Sequence, residues 1–175
     1  MLLFDIQGFF DNINHNRLVR VFVNLGFAPE LVSWCKSFLT NRSVHLKFNS
    51  KSSDPLETEV GTPQGLPVSP VLSIIYTSPL LHLMQGWNNT LLGMYIDDGA
   101  IFACRRDWDD VANILRERYV RCMEWLTKAG LKAEPDKTEL IFFKRSRDKS
   151  VPPASIQLPF LTPNMHYRVQ ATNTL

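Results

Sequence analysis

The chain lacks most of the features that announce a secreted, membrane-spanning or metal-clustered protein. It has only three cysteines, Cys35, Cys104 and Cys122, with no CxxC pair and no histidine at metal-ligand spacing. That pattern excludes a disulfide framework and a zinc cluster and fits reduced thiols inside a cell. Long apolar runs are also missing: the longest, Val71 to Met84, is broken by Ser73, Thr77, Ser78, Pro79 and His82 and is too short for a bilayer. The opening MLLFDIQGFF has no basic segment and carries an acid at position 5, unlike a secretory or transit signal. Neither sign of charge dominates; a formal charge of +2 and a pI near 8.5 decide nothing about partners unless the basic residues cluster. No internal repeat is present. These absences leave a soluble intracellular chain, with nucleus and cytoplasm undistinguished.

What is present suffices for one sizeable core: 45% of 175 residues are apolar and 11% aromatic. Leu2 to Ile6 is a short apolar run with Asp5 embedded in it, the mark of a buried strand that presents an acid near its end. Leu18, Val21, Phe22 and Leu25 recur at helical spacing between a capping Asn14 and a stop at Gly26, and a second helix follows from Pro29 through Leu39. Val44, Leu46 and Phe48 alternate with polar residues, predicting a half-buried strand with a return over Thr58 to Val60. After the loop GTPQGLPVSP, Ser69 and Pro70 suit a helix start, and a largely apolar helix runs to about Gln85 past Pro79. Two strands, Leu91 to Ile96 and Ala100 to Cys104, flank Asp97-Asp98-Gly99, with Asp-Gly as the turn signal. Asp107 caps a long helix ended by Gly130, and Leu140 to Phe143 is the last strand expected. The order predicts an α+β fold, an antiparallel sheet of split βαβ type with helices mainly on one face.

Two segments, LLFDIQGFFD and MYIDDGAIF, place acids inside apolar strands about 90 residues apart. Adjacent strands would bring these carboxylates together. Two carboxylates ~4 Å apart repel by roughly 4 kcal/mol at an effective dielectric near 20, so a cluster of three requires cations. Magnesium, a hard ion that prefers oxygen and keeps open positions, is the natural choice, and two such ions ~3.5–4 Å apart support in-line phosphoryl transfer. Taken singly, the residues have plainer explanations: Asp98 shaping a turn, Asp97 paired with a lysine, Asp5 capping locally.

The combination resembles a known family. FDIQGFFDNI resembles motif A of reverse transcriptases, GTPQGLPVSP motif B, MYIDDGA the YxDD motif C and GLKAEPDKTELIFF motif D, in the family's order over roughly residues 1 to 145. The Gly-Thr-Pro-Gln-Gly wording and the Lys-Thr-Glu of motif D are most similar to non-LTR, LINE-like retrotransposons. The resemblance implies a polymerase palm with part of the fingers inserted at about residues 28–60, and a basic, proline-bearing tail over 146–175 expected to be poorly ordered. It implies RNA-directed DNA polymerase activity with two Mg2+ ions, Mn2+ being an alternative, held by Asp5 and Asp97 with Asp98 as an auxiliary neighbour. Partners would be an RNA or DNA template with its primer and deoxynucleoside triphosphates; neither a membrane nor any particular oligomeric state is implied.

Further roles follow from the same resemblance. Ile6, Phe9 and Phe10 fall beside the incoming nucleotide, Phe10 as the aromatic gate that meets a ribose 2′-hydroxyl. Gln64 and Gly65 contact the nucleotide and template base, Tyr95 lies against the primer end, and Lys137 protonates or neutralises the leaving pyrophosphate. Without the resemblance, Phe10 reads as core, Gln64 as an exposed turn residue and Lys137 as a solvated lysine. Lys144, Arg145, Arg147 and Lys149 read as a polar linker or a phosphate-tracking cluster. The family's departures here are Phe9 and Leu66, where many relatives carry small residues. Fingers sequence before motif A and a thumb after motif D are expected from the family but do not fall within the chain. It is therefore expected to be truncated at both ends, with processive activity severely reduced. The competing expectation is a folded but inactive binding remnant of such a polymerase.

Overall fold

In the computed structural model, which describes residues 1–144, 149–159 and 166–174, the elements run β1 (Leu2–Asp5), α1 (His15–Asn24), α2 (Pro29–Leu39), β2 (Ser43–Val44), β3 (Lys47–Phe48), β4 (Lys51–Ser52), β5 (Leu56–Glu57), α3 (Val68–Leu83), β6 (Thr90–Tyr95), β7 (Asp98–Ala103), α4 (Trp108–Lys128), β8 (Glu139–Phe142), β9 (Ser155–Pro159) and β10 (His166–Thr174). Short 3-10 turns occupy Phe10–Asn12 and Pro135–Lys137. The chain divides into two compact units, Met1–Gln7 with Leu80–Leu175, and Gly8–Pro79.

The first unit is built on a six-stranded sheet ordered β6-β7-β1-β8-β10-β9. Every pairing is antiparallel except β10 with β8. Leu2 and Phe4 alternate with Leu3 and Asp5, so one face of β1 is buried and the other carries the acid, as a period of two requires. Ile101, Leu140 and Phe142 continue the buried face. The helix α4 covers it with Val111, Leu115, Tyr119, Cys122 and Leu126, residues three, four and seven apart, and Tyr119 meets the Phe4 ring edge-on at 6.3 Å. Asp107 begins α4 by accepting hydrogen bonds from the Asp109 and Asp110 amides at 2.8 and 3.2 Å.

Two features here differ from the sequence expectation. The expected disordered tail contains β9 and β10, which pair with each other and join the sheet through β8. Their inward residues, Ile156, Leu158 and Val169, are buried, and Tyr167 hydrogen-bonds the buried Tyr119 hydroxyl and Thr138 Oγ1. Proline and basic residues around 144–153 obscured this alternation of only a few residues. Arg145 and Arg147 lie outside the described residues. The second difference is the hairpin turn: Ile96 and Asp97 form it, not Asp98 and Gly99, which belong to β7. Gly99 is glycine for another reason. A Cβ there would collide with the Phe4 ring on the neighbouring strand.

The second unit starts with the Phe10–Asn12 turn and the α1–α2 pair. Asn14 caps α1 by accepting from the Arg17 amide at 2.8 Å, while Leu18, Val21 and Phe22 are buried on one face. Gly26, at φ +76°, ends the turn after the helix. The segment expected as one half-buried hairpin is instead two minimal ladders, β2 with β5 and β3 with β4. Val44, Leu46 and Phe48 are exposed in them, so alternation there does not mark a core face. Thr58 to Val60 contributes only an isolated bridge from Val60 to Asn14. Helix α3 starts at Val68, one residue before the expected Ser69 cap, and retains Pro79 inside it.

Candidate active site

Backbone register brings the acids of the first unit together. Asp5, the last residue of β1, stands directly opposite Asp98, the first residue of β7, and Asp98 in turn stands opposite Tyr95 on β6. Directly opposed residues of antiparallel strands share a face, so Asp5, Asp98 and the largely exposed Tyr95 project from the side away from Phe4 and α4. Asp97 is fixed one residue earlier: its carbonyl accepts the Ile6 amide at 2.9 Å. Its neighbour Ile96 has φ +56°, a conformation that costs a β-branched residue about 1–3 kcal/mol and marks a turn held by its surroundings.

On the other side of β1 a second backbone seam fixes the Pro135–Lys137 turn. Gln7 donates to the Lys132 carbonyl and Glu134 donates to the Asp5 carbonyl, both at 2.9 Å, with Ile6 bridged to Ala133 between them. The Lys137 ammonium consequently reaches Asp5 Oδ1 at 3.2 Å and Glu134 Oε2 at 3.2 Å. Hydrogen bonds to Glu134 and then Asp5 raise the Lys137 pKa, keeping it a cation. The lysine-paired acid is thus Asp5. Glu134 was not anticipated; the GLKAEPDK spacing, with Glu three residues before Lys on either side of a proline turn, carried the only signal.

The remaining anticipated residues have distinct environments. The Ile6 side chain is buried, leaving its amide as the group engaged at the site. Phe9 is buried too, and its ring lies 5.8 Å from that of the half-buried Phe10. Both belong to the second unit, where the GTPQG loop is sewn to the Phe10–Asn12 turn: Thr62 donates to the Phe10 carbonyl and Gly61 to the Ile13 carbonyl, each at 2.8 Å. Gly61, at φ +90°, allows this approach, since a Cβ would stand 3.3 Å from the Asp11 carbonyl oxygen. His15, another residue not anticipated, is buried and donates from Nε2 to the Gly61 carbonyl at 2.7 Å. Gln64 is exposed with Nε2 3.4 Å from Asp11 Oδ1, and Gly65 has φ +84° with open space beside it.

The acids suit a hard divalent cation in donor chemistry, and like charges opposed across a ladder are destabilising without one. A cation already answers that need, the Lys137 ammonium on Asp5. Among the described residues no three His, Cys, Asp or Glu side chains are gathered into a metal cage. A cavity of about 1050 Å³ lies at the opposite end of the β6–β7 hairpin, lined by Leu91, Phe102, Arg105, Arg106, Trp108 and Phe143 among others.

Residues 1–166 match the reverse transcriptase (RNA-dependent DNA polymerase) family, and the chain belongs to it. Among relatives in Drosophila melanogaster, it is 28% identical over 138 residues to a probable RNA-directed DNA polymerase from transposon BS, covering 77% of this chain and 15% of that protein. It is 25% identical over 158 residues to the RNA-directed DNA polymerase from mobile element jockey, covering 87% and 17%. The chain thus spans under a fifth of the length of these relatives. Its fold is also similar to telomerase from Candida tropicalis. A form truncated from its C-terminal domain gives a TM-score of 0.61 at 15% identity, over 89% of this chain and 32% of that one. A form in complex with a TWJ fragment of telomeric RNA gives 0.60 at 16% identity, over 78% and 25%. Among the described residues no helix is long and apolar enough to cross a membrane.

Proposed function

We propose that this chain is part of the RNA-directed DNA polymerase of a LINE-like, non-LTR retrotransposon, and that it adds deoxynucleotides to a primer 3′ end on an RNA or DNA template. The observation that carries this reading is the register of Asp5 against Asp98, with Asp97 tied to Ile6, which places the motif A and motif C acids on neighbouring strands. Residues 1–145 correspond to the palm, their sheet being the split βαβ arrangement, and the segment at about 28–60 to part of the fingers.

Asp5 and Asp97 would be the principal ligands of two Mg2+ or Mn2+ ions and Asp98 an auxiliary one. Such ions stabilise the attacking and leaving oxygens of in-line phosphoryl transfer. The protein's own contribution is positioning and charge. The Ile6 amide orients the Asp97 turn, and Tyr95, exposed beside Asp98, presents a ring to the primer end. Lys137 supplies a proton or positive charge to the departing pyrophosphate. Phe10, half-buried on a turn anchored by Thr62, selects against a ribose 2′-hydroxyl by shape, while Phe9 packs behind it. Gln64 and Gly65 meet the nucleotide and template base, the glycine admitting close backbone approach.

A template-primer extension assay with Mg2+ and deoxynucleotides, run on the chain beside Asp97→Asn, tests this. Incorporation above the variant is expected. Equal incorporation by both would contradict the polymerase reading and favour a binding remnant.

A further inference from the structure

We propose that Glu134 is a positioning residue that shares the Lys137 ammonium with Asp5 and takes it over when an arriving divalent cation displaces it from Asp5. The proposal rests on the metal role of Asp5 given above.

The arrangement has a main-chain part and a side-chain part. Main-chain hydrogen bonds fix the platform: Glu134 to Asp5 and Gln7 to Lys132, followed by Lys137 to the Glu134 carbonyl at 3.2 Å, with Pro135 restricting the turn between them. On this platform the Lys137 side chain is about half exposed, whereas that of Asp5 is only one-fifth exposed. An ammonium has three donors and bridges both carboxylates, and its equal 3.2 Å distances leave it a partner if either is lost.

That symmetry matters when a metal approaches. The ammonium and a divalent ion compete for Asp5, because two cations held on one carboxylate repel each other. The doubly charged ion prevails where Asp98, directly opposite, adds its own negative charge. Glu134 retains the displaced lysine a side chain's length away. Before loading, the same lysine offsets the cross-strand repulsion of Asp5 and Asp98.

Mn2+ titration of the whole chain, followed by the electron paramagnetic resonance of free Mn2+, tests this in wild type, Lys137→Met, Glu134→Gln, the double variant and Asp5→Asn. Lys137→Met should tighten Mn2+ binding about two- to fivefold, the factor corresponding to a surface ion pair. Glu134→Gln should weaken it, and most of that weakening should vanish when Lys137 is already Met. A merely structural Glu134 would act equally in both backgrounds. The Lys137 15Nζ resonance should shift on adding Mg2+ to wild type and stay unmoved in Asp5→Asn. Equal affinity of wild type and Lys137→Met, or an undiminished Glu134→Gln effect in the double variant, overturns the proposal while binding lost in Asp5→Asn preserves the metal site itself. No Mn2+ binding in any variant overturns both.

Discussion

The Phe4 ring lies over Gly99 on the adjacent strand, so closely that a methyl group at position 99 would collide with its tip. The contact locks the acid-free faces of β1 and β7 together and so determines which side Asp5 and Asp98 occupy. Gly99→Ala should destabilise the protein by about 2 kcal/mol, within the range for overpacked cores, read as a lower midpoint in urea unfolding. Adding Phe4→Leu should recover part of the loss. Additive effects would contradict direct contact.

The cysteines give a second prediction. Cys35 and Cys122 are buried and Cys104 is exposed. Burial pushes the Cys35 thiol up to about 11 and the Cys122 thiol up to about 12. Iodoacetamide at neutral pH should therefore label Cys104 in the native protein and all three in denaturant, read by peptide mass spectrometry. The raised folded values also fix a sign. Above the ordinary value of 9.0 the unfolded thiols ionise first, so this stability is intact below about 9 and is lost as pH rises towards 11 to 12. Rapid native labelling of Cys122 would contradict the packing under α4.

A third concerns β10. Tyr167 connects it to α4 through the Tyr119 hydroxyl and to the loop before β8 through Thr138. Tyr167→Phe removes the hydrogen bonds to Tyr119 and Thr138 and should cost about 0.5–1.5 kcal/mol. Faster amide exchange in β9 and β10 than in β1 should accompany it. Uniform exchange would show that these strands are held otherwise.

The sequence made the order of elements legible wherever caps and periodicity coincide. Asn14, Pro29, Gly26 and Asp107 mark helix ends found within a residue or so. It misplaced the hairpin turn because Asp98-Gly99 is a stronger turn pair than Ile96-Asp97. The deciding influence was tertiary: Gly99 is needed beneath Phe4, so the strain moves to Ile96. It missed β9 and β10 because β9 is only five residues long beside prolines, and the support of both strands comes from β8 and α4. At the site, motif wording located the acids. The Glu134–Lys137 pair is local, but its meeting with Asp5 arises from pairing of distant segments, which no local pattern encodes.

In the proposed function, the acids of β1 and of the β6–β7 hairpin bind one metal centre. Mn2+ added with a deoxynucleoside triphosphate to the 15N-labelled chain tests it through paramagnetic broadening of amide signals. Asp5, Ile6, Asp97 and Asp98 should broaden together, at the lowest Mn2+ concentrations, and stay sharp in Asp5→Asn. Broadening first at other acids, such as Asp109 and Asp110, with Asp5 and Asp97 unaffected, would contradict it.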